Sequence, residues 1–471
     1  MYIRQNIDFY RFFNLIFLKY VLTLNYIFLI LHHQRRSHLF TPLVYIDKNK
    51  YFRFIAAKRE SSFSFGKQNE NLFTAITMSF IVNRRDWLKS GLLASTGLAL
   101  GSATTAQAST TYSSLGIFDV YAEREREIVQ EALLAAAPQV KARLSSNENP
   151  WGPAPTAIKA IADNAPKAFL YAGPVTAELK KTIADMHGVT TDQVMLGAGS
   201  SELLMASLLL AATKGKVMMA ETCYISGRDA REDGATMKTE KVPLTKDYQY
   251  DLEAMATRVN SETSMIYVCN PNNPTGVMLP SAKLKSFCDS VSPKATVLVD
   301  EAYIDYAPNP ATDSMVECVR KGQNVLILRT LSKLHGFAGL RIGYALGQPA
   351  LLKDLRKFCS GGFTVSTTSA AAATASFKDK AFQDMVLKNT IESKKFLCDS
   401  LTSMGYSYLP SSANFVLFPI KMKGPMLLQK MMAEGVSVKS WFFDQQHWCR
   451  VSIGTMDEMK AFKDAFAKSV S

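Results

Sequence analysis

The stretch VLILRTLSKLHGFAGLRIGYAL, residues 325–346, indicates the fold of this chain most directly. Its first four residues are apolar and predict a buried strand at Val325–Leu328. Thr330, Ser332 and Lys333 follow closely, so two hydroxyls and an amine stand where that strand ends. Open α/β sheets bind their ligands outside the carboxyl ends of the strands. The stretch therefore predicts an α/β fold with a candidate ligand site around Lys333.

A similar alternation of apolar runs and helical patterns continues through most of the chain. The other predicted strands are Gln193–Gly197, Lys216–Ala220, Met237–Val242, Ser264–Cys269, Thr296–Val299 and Arg341–Leu346. The helical patterns between them include Ser201–Ala212, Leu252–Val259 and Ser281–Val291. Strands that alternate with helices form mostly parallel sheets, so we expect a large α/β domain at residues 166–364.

The segments on either side of this domain predict a second, smaller one. Residues 112–165 and 365–471 are expected to form an α+β lobe. Its predicted elements are helices at Asp119–Ala137 and Lys380–Met404 and strands near Asn414–Pro419 and Cys449–Ile453. A chain of 471 residues that is 47% hydrophobic can bury two cores of this size.

Composition excludes several classes of function. The net charge is +13, but most of the excess of Lys and Arg lies in the first 110 residues. The rest of the chain has no basic patch interleaved with aromatic residues, so nucleic acid is not an expected partner. The seven cysteines are widely spaced, without a CxxC or a Cys/His pattern. They predict ordinary core thiols, with neither a metal site nor a disulfide framework.

Residues 83–108, NRRDWLKSGLLASTGLALGSATTAQA, have the layout of an export signal. The Arg84–Arg85 pair precedes a short apolar run, and a small-x-small cleavage site ends at Ala108. We expect residues 78–108 to be a twin-arginine signal peptide read by the twin-arginine translocation machinery, which delivers the protein to the periplasm. The alternative is an amphipathic helix that contains an arginine pair by chance.

The first 77 residues precede that signal and show no heptad or strand alternation. We expect translation to begin at Met78, which would make residues 1–77 a non-native or disordered extension. The alternative is a membrane anchor, because Phe12–Leu31 is largely apolar, although Lys19 interrupts it.

Three further motifs place polar residues directly after apolar runs. In VLVDEAYIDY, residues 297–306, Asp300 could keep a pyridine nitrogen protonated and Tyr303 could donate to a phenolic oxygen of that ring. In YVCNPNNPTG, Asn273 offers an amide to the same oxygen. In GAGSSE, residues 197–202, the backbone N–H groups of a helix N-terminus suit a phosphate.

Each of the four motifs also has an ordinary explanation when it is taken alone. Lys333 is then a surface lysine, Asp300 a polar residue at a strand end, and the other two motifs are turns. Their order along one chain is the informative feature, because together they supply a phosphate cradle, a donor to a ring oxygen, a partner for a ring nitrogen and an imine-forming lysine.

This combination resembles the fold-type I aminotransferases that depend on pyridoxal 5'-phosphate (PLP), over about residues 140–460. LSSNENPWGP, residues 144–153, and TLSK with AGLRIGY resemble the histidinol-phosphate aminotransferase-like proteins more narrowly. The resemblance implies the PLP-dependent transferase fold, with a large lobe around a mostly parallel sheet. It also implies a ping-pong transfer of an amino group between an L-amino acid, or an amino-alcohol phosphate, and a 2-keto acid.

The resemblance implies a role for each matched residue around the cofactor. Lys333 would form the Schiff base and move protons, and Asp300 would pair with the pyridinium nitrogen. Asn273 and Tyr303 would bind the phenolic oxygen. The remaining cofactor-binding residues are Tyr224, which would stack on the ring, and the phosphate-binding Ser200, Ser201, Thr330, Ser332 and Arg341.

Other matched residues point to a partner subunit and to the substrate. Tyr171 would reach the phosphate bound by the neighbouring subunit of a homodimer. Arg450 would grip the substrate α-carboxylate through its planar fork of donors. Asn147 and Trp151 line the substrate side. Lys439 stands where the biosynthetic enzymes usually have arginine, so histidinol phosphate is not implied as the substrate.

Two alternative functions remain open on the residues alone. The same scaffold supports other PLP reactions, such as decarboxylation or lyase chemistry. A non-catalytic PLP-binding protein or regulator is the other alternative, although residues 1–110 do not resemble a DNA-binding module.

Overall fold

The computed structural model describes residues 140–226 and 237–470, together with five short strand segments outside these ranges. The chain divides into two units, Met1–Ser113 and Ser114–Ser471. The predicted twin-arginine signal and the predicted helix at Asp119–Ala137 lie outside the described residues, apart from Met78 at the end of a strand. Across the described part of the chain, no helix is both long and apolar enough to span a bilayer.

The first unit contains a three-stranded antiparallel sheet. Its strands are β1 (Phe40–Ile46), β2 (Phe52–Lys58) and β3 (Ala75–Met78), in the order β1-β2-β3. The sequence shows no strand alternation in this region. The strands form where Phe, Tyr, Val and Ile are frequent, and these residue types favour extended backbone even without strict alternation.

The second unit contains all the predicted site residues. Its strands are β4 (Ala142–Arg143), β5 (Val194–Gly197), β6 (Lys216–Ala220), β7 (Arg231–Glu232), β8 (Ala235–Thr236), β9 (Thr239–Val242), β10 (Thr263–Cys269), β11 (Thr296–Asp300), β12 (Val325–Thr330), β13 (Gly343–Leu346), β14 (Phe415–Ile420), β15 (Val436–Ser437), β16 (Lys439–Phe443) and β17 (Gln446–Ser452). Its α-helices are α1 (Pro155–Asn164), α2 (Gly173–His187), α3 (Ser200–Ala212), α4 (Leu252–Arg258), α5 (Ser281–Val291), α6 (Pro310–Asp313), α7 (Val316–Arg320), α8 (Pro349–Leu355), α9 (Thr367–Lys378), α10 (Lys380–Ser403), α11 (Gly424–Ala433) and α12 (Met456–Val470).

A seven-stranded sheet in the order β5-β13-β12-β11-β10-β6-β9 forms the centre of the large domain. Only β13 runs antiparallel to its neighbours. The strands β11 and β12 are buried almost throughout, which is typical of a parallel sheet covered on both faces. The predicted α/β fold with a mostly parallel sheet is therefore confirmed. One predicted strand is too long, because Arg341 has a left-handed backbone (φ 51°) and extended structure resumes only at Gly343.

The smaller domain is built on the antiparallel sheet β14-β17-β16. Its hydrophobic core includes Leu397 of α10, Phe418 of β14, Val451 of β17 and Phe462 of α12. Arg450 and Lys439, two predicted substrate residues, lie on β17 and β16 of this domain.

The helices α1 and α9 bear on where the two domains divide. Residues of α1 and α9 were assigned by the sequence to the smaller domain, but their buried side chains belong to the core of the large domain. Ala157, Ala370 and Ala372 are fully buried there. Small side chains allow close packing between helices, and α1 and α9 pack against each other.

A buried ion pair supports the end of β12, just before the lysine loop. The Arg329 guanidinium donates to the Glu301 carboxylate through Nε at 3.0 Å and contacts it through Nη2 at 2.8 Å. Burial alone would lower the pKa of Arg329, but the Glu301 carboxylate raises it above its ordinary value. Glu301 also accepts hydrogen bonds from Ser314 and from the backbone N–H of Met315, so its charge is well compensated.

Candidate active site

An anion cradle lies at the N-terminus of α3. Gly199 precedes this helix with φ 78°, and no side chain caps the helix end. The first N–H groups of a helix have no acceptors within it, so they attract an anion. The Arg341 guanidinium approaches so closely that a Cβ at Gly199 would collide with it. Backbone donors and a guanidinium therefore converge where the sequence predicts a phosphate.

Sheet register brings the other phosphate-site residues to the same place. Thr330 pairs with Gly343, and Gly343 pairs with Gly197 on the far side. A Cβ at Gly343 would also collide with the backbone of Ser200, so β13 passes tightly beneath the helix start. The Thr330 hydroxyl donates to Ser332 Oγ at 2.9 Å and accepts from the Ser332 N–H at 3.1 Å.

The cradle predicts that Gly199→Ala weakens binding of a phosphate-bearing cofactor by about tenfold or more, because a Cβ displaces a charge-assisted donor. Gly322→Ala is the matched control, since Gly322 has φ 79° but nothing within 4 Å of its added Cβ. Both positions have a positive φ, so both variants should lose stability, and Gly199→Ala should lose more because its backbone (φ 78°, ψ 164°) lies in a region that only glycine adopts readily. Only Gly199→Ala should raise the Kd for PLP, measured by fluorescence titration of the cofactor-free protein. Equal Kd values for the two variants would contradict the assignment.

The Lys333 amine, on the loop after β12, reaches the segment that contains Ser146 and Asn147. It donates to the carbonyl oxygens of Ser146 at 3.2 Å and Asn147 at 3.1 Å. Its nitrogen is 5.6 Å from the centre of the Tyr303 ring. Burial, and after it the Arg450 guanidinium, lowers the pKa of Lys333 to about 8. A substantial fraction of this amine is therefore neutral near physiological pH, as a nucleophile requires.

Two asparagine amides converge on the Tyr303 hydroxyl. Asn147 Nδ2 donates to it at 3.0 Å and Asn273 Nδ2 at 3.3 Å. Asn147 holds a left-handed backbone (φ 55°), stabilised because its N–H donates to Ser452 Oγ and that hydroxyl donates to Asn147 Oδ1. Burial raises the pKa of Tyr303, so its hydroxyl stays protonated and can donate.

The Asp300 carboxylate is buried at the end of β11 and is oriented by two donors. The Tyr267 hydroxyl donates to Oδ2 at 2.9 Å and the Ala302 N–H donates to Oδ1 at 3.2 Å. Sequence reasoning did not identify Tyr267. A signal was present, because a tyrosine inside an apolar strand needs a partner for its buried hydroxyl, and β10 lies beside β11.

The Arg450 guanidinium is only 4% exposed and is held from two sides. Nη1 donates to Asn273 Oδ1 and Nη2 to the carbonyl oxygen of Ser145, both at 2.6 Å. Its central carbon lies 5.3 Å from the ring centre of Phe415. Among the described residues, Nε has no hydrogen-bond partner. A buried cation with an unpaired donor is suited to an anionic ligand that supplies the missing acceptor.

The remaining predicted residues lie at different distances from this cluster. Tyr224 is partly buried after β6, close enough to act electrostatically on Tyr303 and Arg450. Lys439 pairs with Arg450 in the sheet register. The backbone N–H of the partly buried Trp151 donates a hydrogen bond to Asn149 Oδ1. Tyr171 is 85% exposed and contacts Phe363, so the single chain does not join it to the cluster. Ser201, an exposed residue, lies in the first turn of α3.

Several further residues support the cluster and were missed from the sequence. Ser145 and Ser452 bind Arg450 and Asn147, as described above, and Asn414 Nδ2 donates to the Asn147 carbonyl at 3.0 Å. These contacts join residues up to 305 positions apart in the chain. Ser452 offered a signal, because it is two residues from Arg450 on β17 and therefore lies on the same face of the sheet.

Comparisons with known proteins agree with this geometry. A family model described as aminotransferase class I and II matches residues 139–466. The chain belongs to this family. Histidinol-phosphate aminotransferase 2 of Carboxydothermus hydrogenoformans is 35% identical over 319 residues, which cover 66% of this chain and 86% of that protein. The aromatic amino acid aminotransferase of Rhodococcus opacus is 36% identical over 329 residues, covering 69% and 89% of the two chains.

A solved structure agrees as well. The histidinol-phosphate aminotransferase of Sinorhizobium meliloti, in complex with pyridoxal-5'-phosphate, matches with a TM-score of 0.65 at 26% identity, covering 72% of this chain and 94% of that one. As a member of the class I and II aminotransferases, the present chain is a PLP-dependent enzyme that transfers amino groups, as its motifs predict. The predicted roles of individual residues remain predictions.

The residues of this aminotransferase fit PLP. The cradle at α3 suits its phosphate, Asp300 suits its ring nitrogen, and Tyr303 with Asn273 suits its phenolic oxygen. When bound, PLP supplies an electrophilic carbon and a ring that accepts electrons. We expect Asp300 to hold a proton on the ring nitrogen and Arg450 to orient the substrate through its α-carboxylate. Lys333 would then move a proton from the substrate Cα to the cofactor in the first half of the cycle, and from the cofactor to the Cα of the keto-acid substrate in the second half.

The lowered pKa of Lys333 predicts how the rate of PLP capture depends on pH. Only the neutral amine attacks a carbonyl carbon, so the rate should rise as pH approaches about 8 and then level off. An exposed lysine would instead give a rate that rises until about pH 10.4. Stopped-flow absorbance of cofactor-free enzyme mixed with PLP measures this profile. A rate still rising about tenfold per unit above about pH 9 would contradict a lowered pKa.

Proposed function

We propose that the enzyme transfers the amino group of an L-amino acid to a 2-keto acid, with Arg450 gripping the α-carboxylate of both. The observation that carries this proposal is the buried Arg450 guanidinium, whose Nε is unpaired and which is linked through Asn273 to the Tyr303 hydroxyl. A planar guanidinium in this state is suited to a carboxylate. Arg450 thus offers the carboxylate a fixed position relative to Lys333.

An amino-alcohol phosphate such as histidinol phosphate is the second candidate donor. The names of the relatives include histidinol-phosphate aminotransferase, and Lys439 lies opposite Arg450 in the hairpin β16–β17. Two cations directly across a strand pair repel each other, so an anion between them would be favourable. A phosphate carries more charge than a carboxylate and would suit this pair. Decarboxylation or lyase chemistry on the same scaffold remains the alternative reaction.

We further propose that the enzyme acts as a homodimer with shared active sites. Tyr171 and Phe363 are 85% and 77% exposed, and their rings contact each other on the surface. Two large exposed aromatic side chains together are unusual on a monomer. A second copy of this chain would cover them and bring Tyr171 towards the phosphate cradle of the partner subunit.

The test of the proposed reaction is the visible absorption of the holoenzyme during addition of single L-amino acids or histidinol phosphate. We expect the band of the bound cofactor to bleach with a productive donor and to return when a 2-keto acid is added. Lys333→Ala should show neither change at a comparable rate, because the proton carrier is missing. Release of CO2 without formation of a keto acid would contradict transamination and favour decarboxylation.

We propose, finally, that the enzyme is exported in folded form by the twin-arginine machinery. Support comes from the order of the arginine pair, apolar run and cleavage site within residues 83–108. Replacing Arg84 and Arg85 together by lysine should retain the protein in the cytoplasm while the wild type reaches the periplasm. Cell fractionation with immunoblotting measures this distribution. An unchanged distribution would contradict the proposal.

A further inference from the structure

One face of the hairpin β16–β17 carries a cluster of large and charged side chains beside the carboxylate-binding arginine. Side chains alternate between the faces of a strand, so Lys439, Trp441 and Phe443 share one face of β16. The register places Arg450 opposite Lys439 and Trp448 opposite Trp441. Two tryptophans therefore stand as direct neighbours on the face that bears Arg450.

These two tryptophans differ in their hydrogen bonding. The Trp448 indole Nε1 donates to the carbonyl oxygen of Phe443 at 3.2 Å. The Trp448 indole also stacks on the Phe443 ring, with the ring centres 5.0 Å apart. The Trp441 Nε1 atom is also buried, but within the described residues it has no hydrogen-bond partner. A buried N–H without an acceptor is unfavourable, and buried indoles usually find one.

The position of Trp441 indicates where an acceptor could come from. The Arg450 guanidinium lies 5.9 Å from the centre of its ring, and the Lys439 amine lies 5.6 Å from it. Arg450 in turn binds Asn273, which donates to the Tyr303 hydroxyl. Trp441 is thus a neighbour of the carboxylate-binding group. A substrate held there by its α-carboxylate would lie beside this indole.

We propose that Trp441 is a specificity-determining residue whose indole N–H donates a hydrogen bond to an acceptor atom on the substrate side chain. This inference rests on the proposed function, since it requires Arg450 to orient an amino acid. The substrate class is an amino donor whose side chain carries a ring nitrogen, a carbonyl oxygen or an anionic oxygen. The positive charges of Lys439 and Arg450 beside the same ring favour such acceptors and disfavour cationic side chains.

The expected selectivity follows from the unpaired donor. A side chain with an acceptor pairs the indole N–H when it binds. An apolar side chain of the same size leaves that N–H unpaired and buried, which is why sites built to donate a hydrogen bond reject apolar analogues strongly. The wild type should therefore prefer histidine to phenylalanine and glutamine to methionine, two pairs that are similar in size but differ in acceptors.

The decisive variant is Trp441→Phe, which keeps an aromatic ring and removes the N–H. The rate of cofactor bleaching at graded concentrations gives kcat/KM of the first half-reaction for each of the four amino acids. We expect kcat/KM for histidine and glutamine to fall by about tenfold relative to phenylalanine and methionine. Any loss of kcat/KM that comes from the smaller ring affects both amino acids of a pair. The ratio of the two kcat/KM values within each pair is therefore the informative quantity.

Trp448→Phe is the matched control on the same face. It removes an N–H that already has a protein partner, so it should lower the Tm of the substrate-free enzyme but leave both ratios unchanged. Trp441→Phe should cost less Tm than Trp448→Phe, because it removes a donor that lacks an acceptor. The Tm values therefore distinguish a structural role of each indole N–H from a substrate-binding role, without any measurement of activity.

Three results would overturn the inference, and they are distinguishable. If the wild type bleaches with amino acids but Trp441→Phe leaves both ratios unchanged, Trp441 does not read the side chain, while the proposed function stands. If no amino acid bleaches the wild-type cofactor, the proposed function fails and the inference fails with it. A preference of the wild type for phenylalanine and methionine over their partners would also contradict the role of Trp441.

Discussion

The hydrogen bonds from the Lys333 amine to the carbonyl oxygens of Ser146 and Asn147 connect the parts of this enzyme that must act together. Lys333 belongs to the loop after β12, in the large domain. Asn147 is tied through Ser452 to β17, in the smaller domain, where Arg450 also lies. The nucleophile and the carboxylate-binding cation are therefore positioned by one connected set of polar contacts. Burial of the same set lowers the pKa of the amine.

That arrangement keeps several groups in states that would be unfavourable in an ordinary core. Asn147 has a left-handed backbone, and Arg450 and Trp441 each hold a buried N–H without a partner among the described residues. Such features persist where the surrounding structure fixes them, and they concentrate at functional sites. Here they surround one region, between the lysine loop and the hairpin β16–β17. The large sheet supplies the stability that tolerates them.

The sequence predicted the large sheet well because its strands are nearly continuous apolar runs. The run Val325–Leu328 lies within β12, and Lys216–Ala220 coincides with β6. The residues near strand ends could also be found, since Asp300 follows such a run directly and Lys333 follows one closely. The contribution of α1 and α9 to the large core could not be found, because an apolar or alanine-rich helix face does not indicate which of two cores it will join.

The residues that support the site were harder to predict, because they meet through register and not through sequence spacing. Trp441 is opposite Trp448, and Ser452 is beside Asn147, only after the hairpin and β17 have formed. Neither relationship is visible in the linear order of residues. The unpaired indole of Trp441 likewise emerges only from the packed structure, which is why no motif indicated it.

The identity of the covalently modified lysine tests the central claim most directly. Borohydride reduction of the holoenzyme fixes the cofactor to its lysine, and peptide mass mapping then identifies that residue. The account predicts modification at Lys333. Lys394 is a stringent internal competitor, because burial lowers its pKa to about 8 as well, and its amine donates to the Ser411 carbonyl oxygen at 2.9 Å. Modification at Lys394, or at several lysines without preference, would contradict the site described for this aminotransferase.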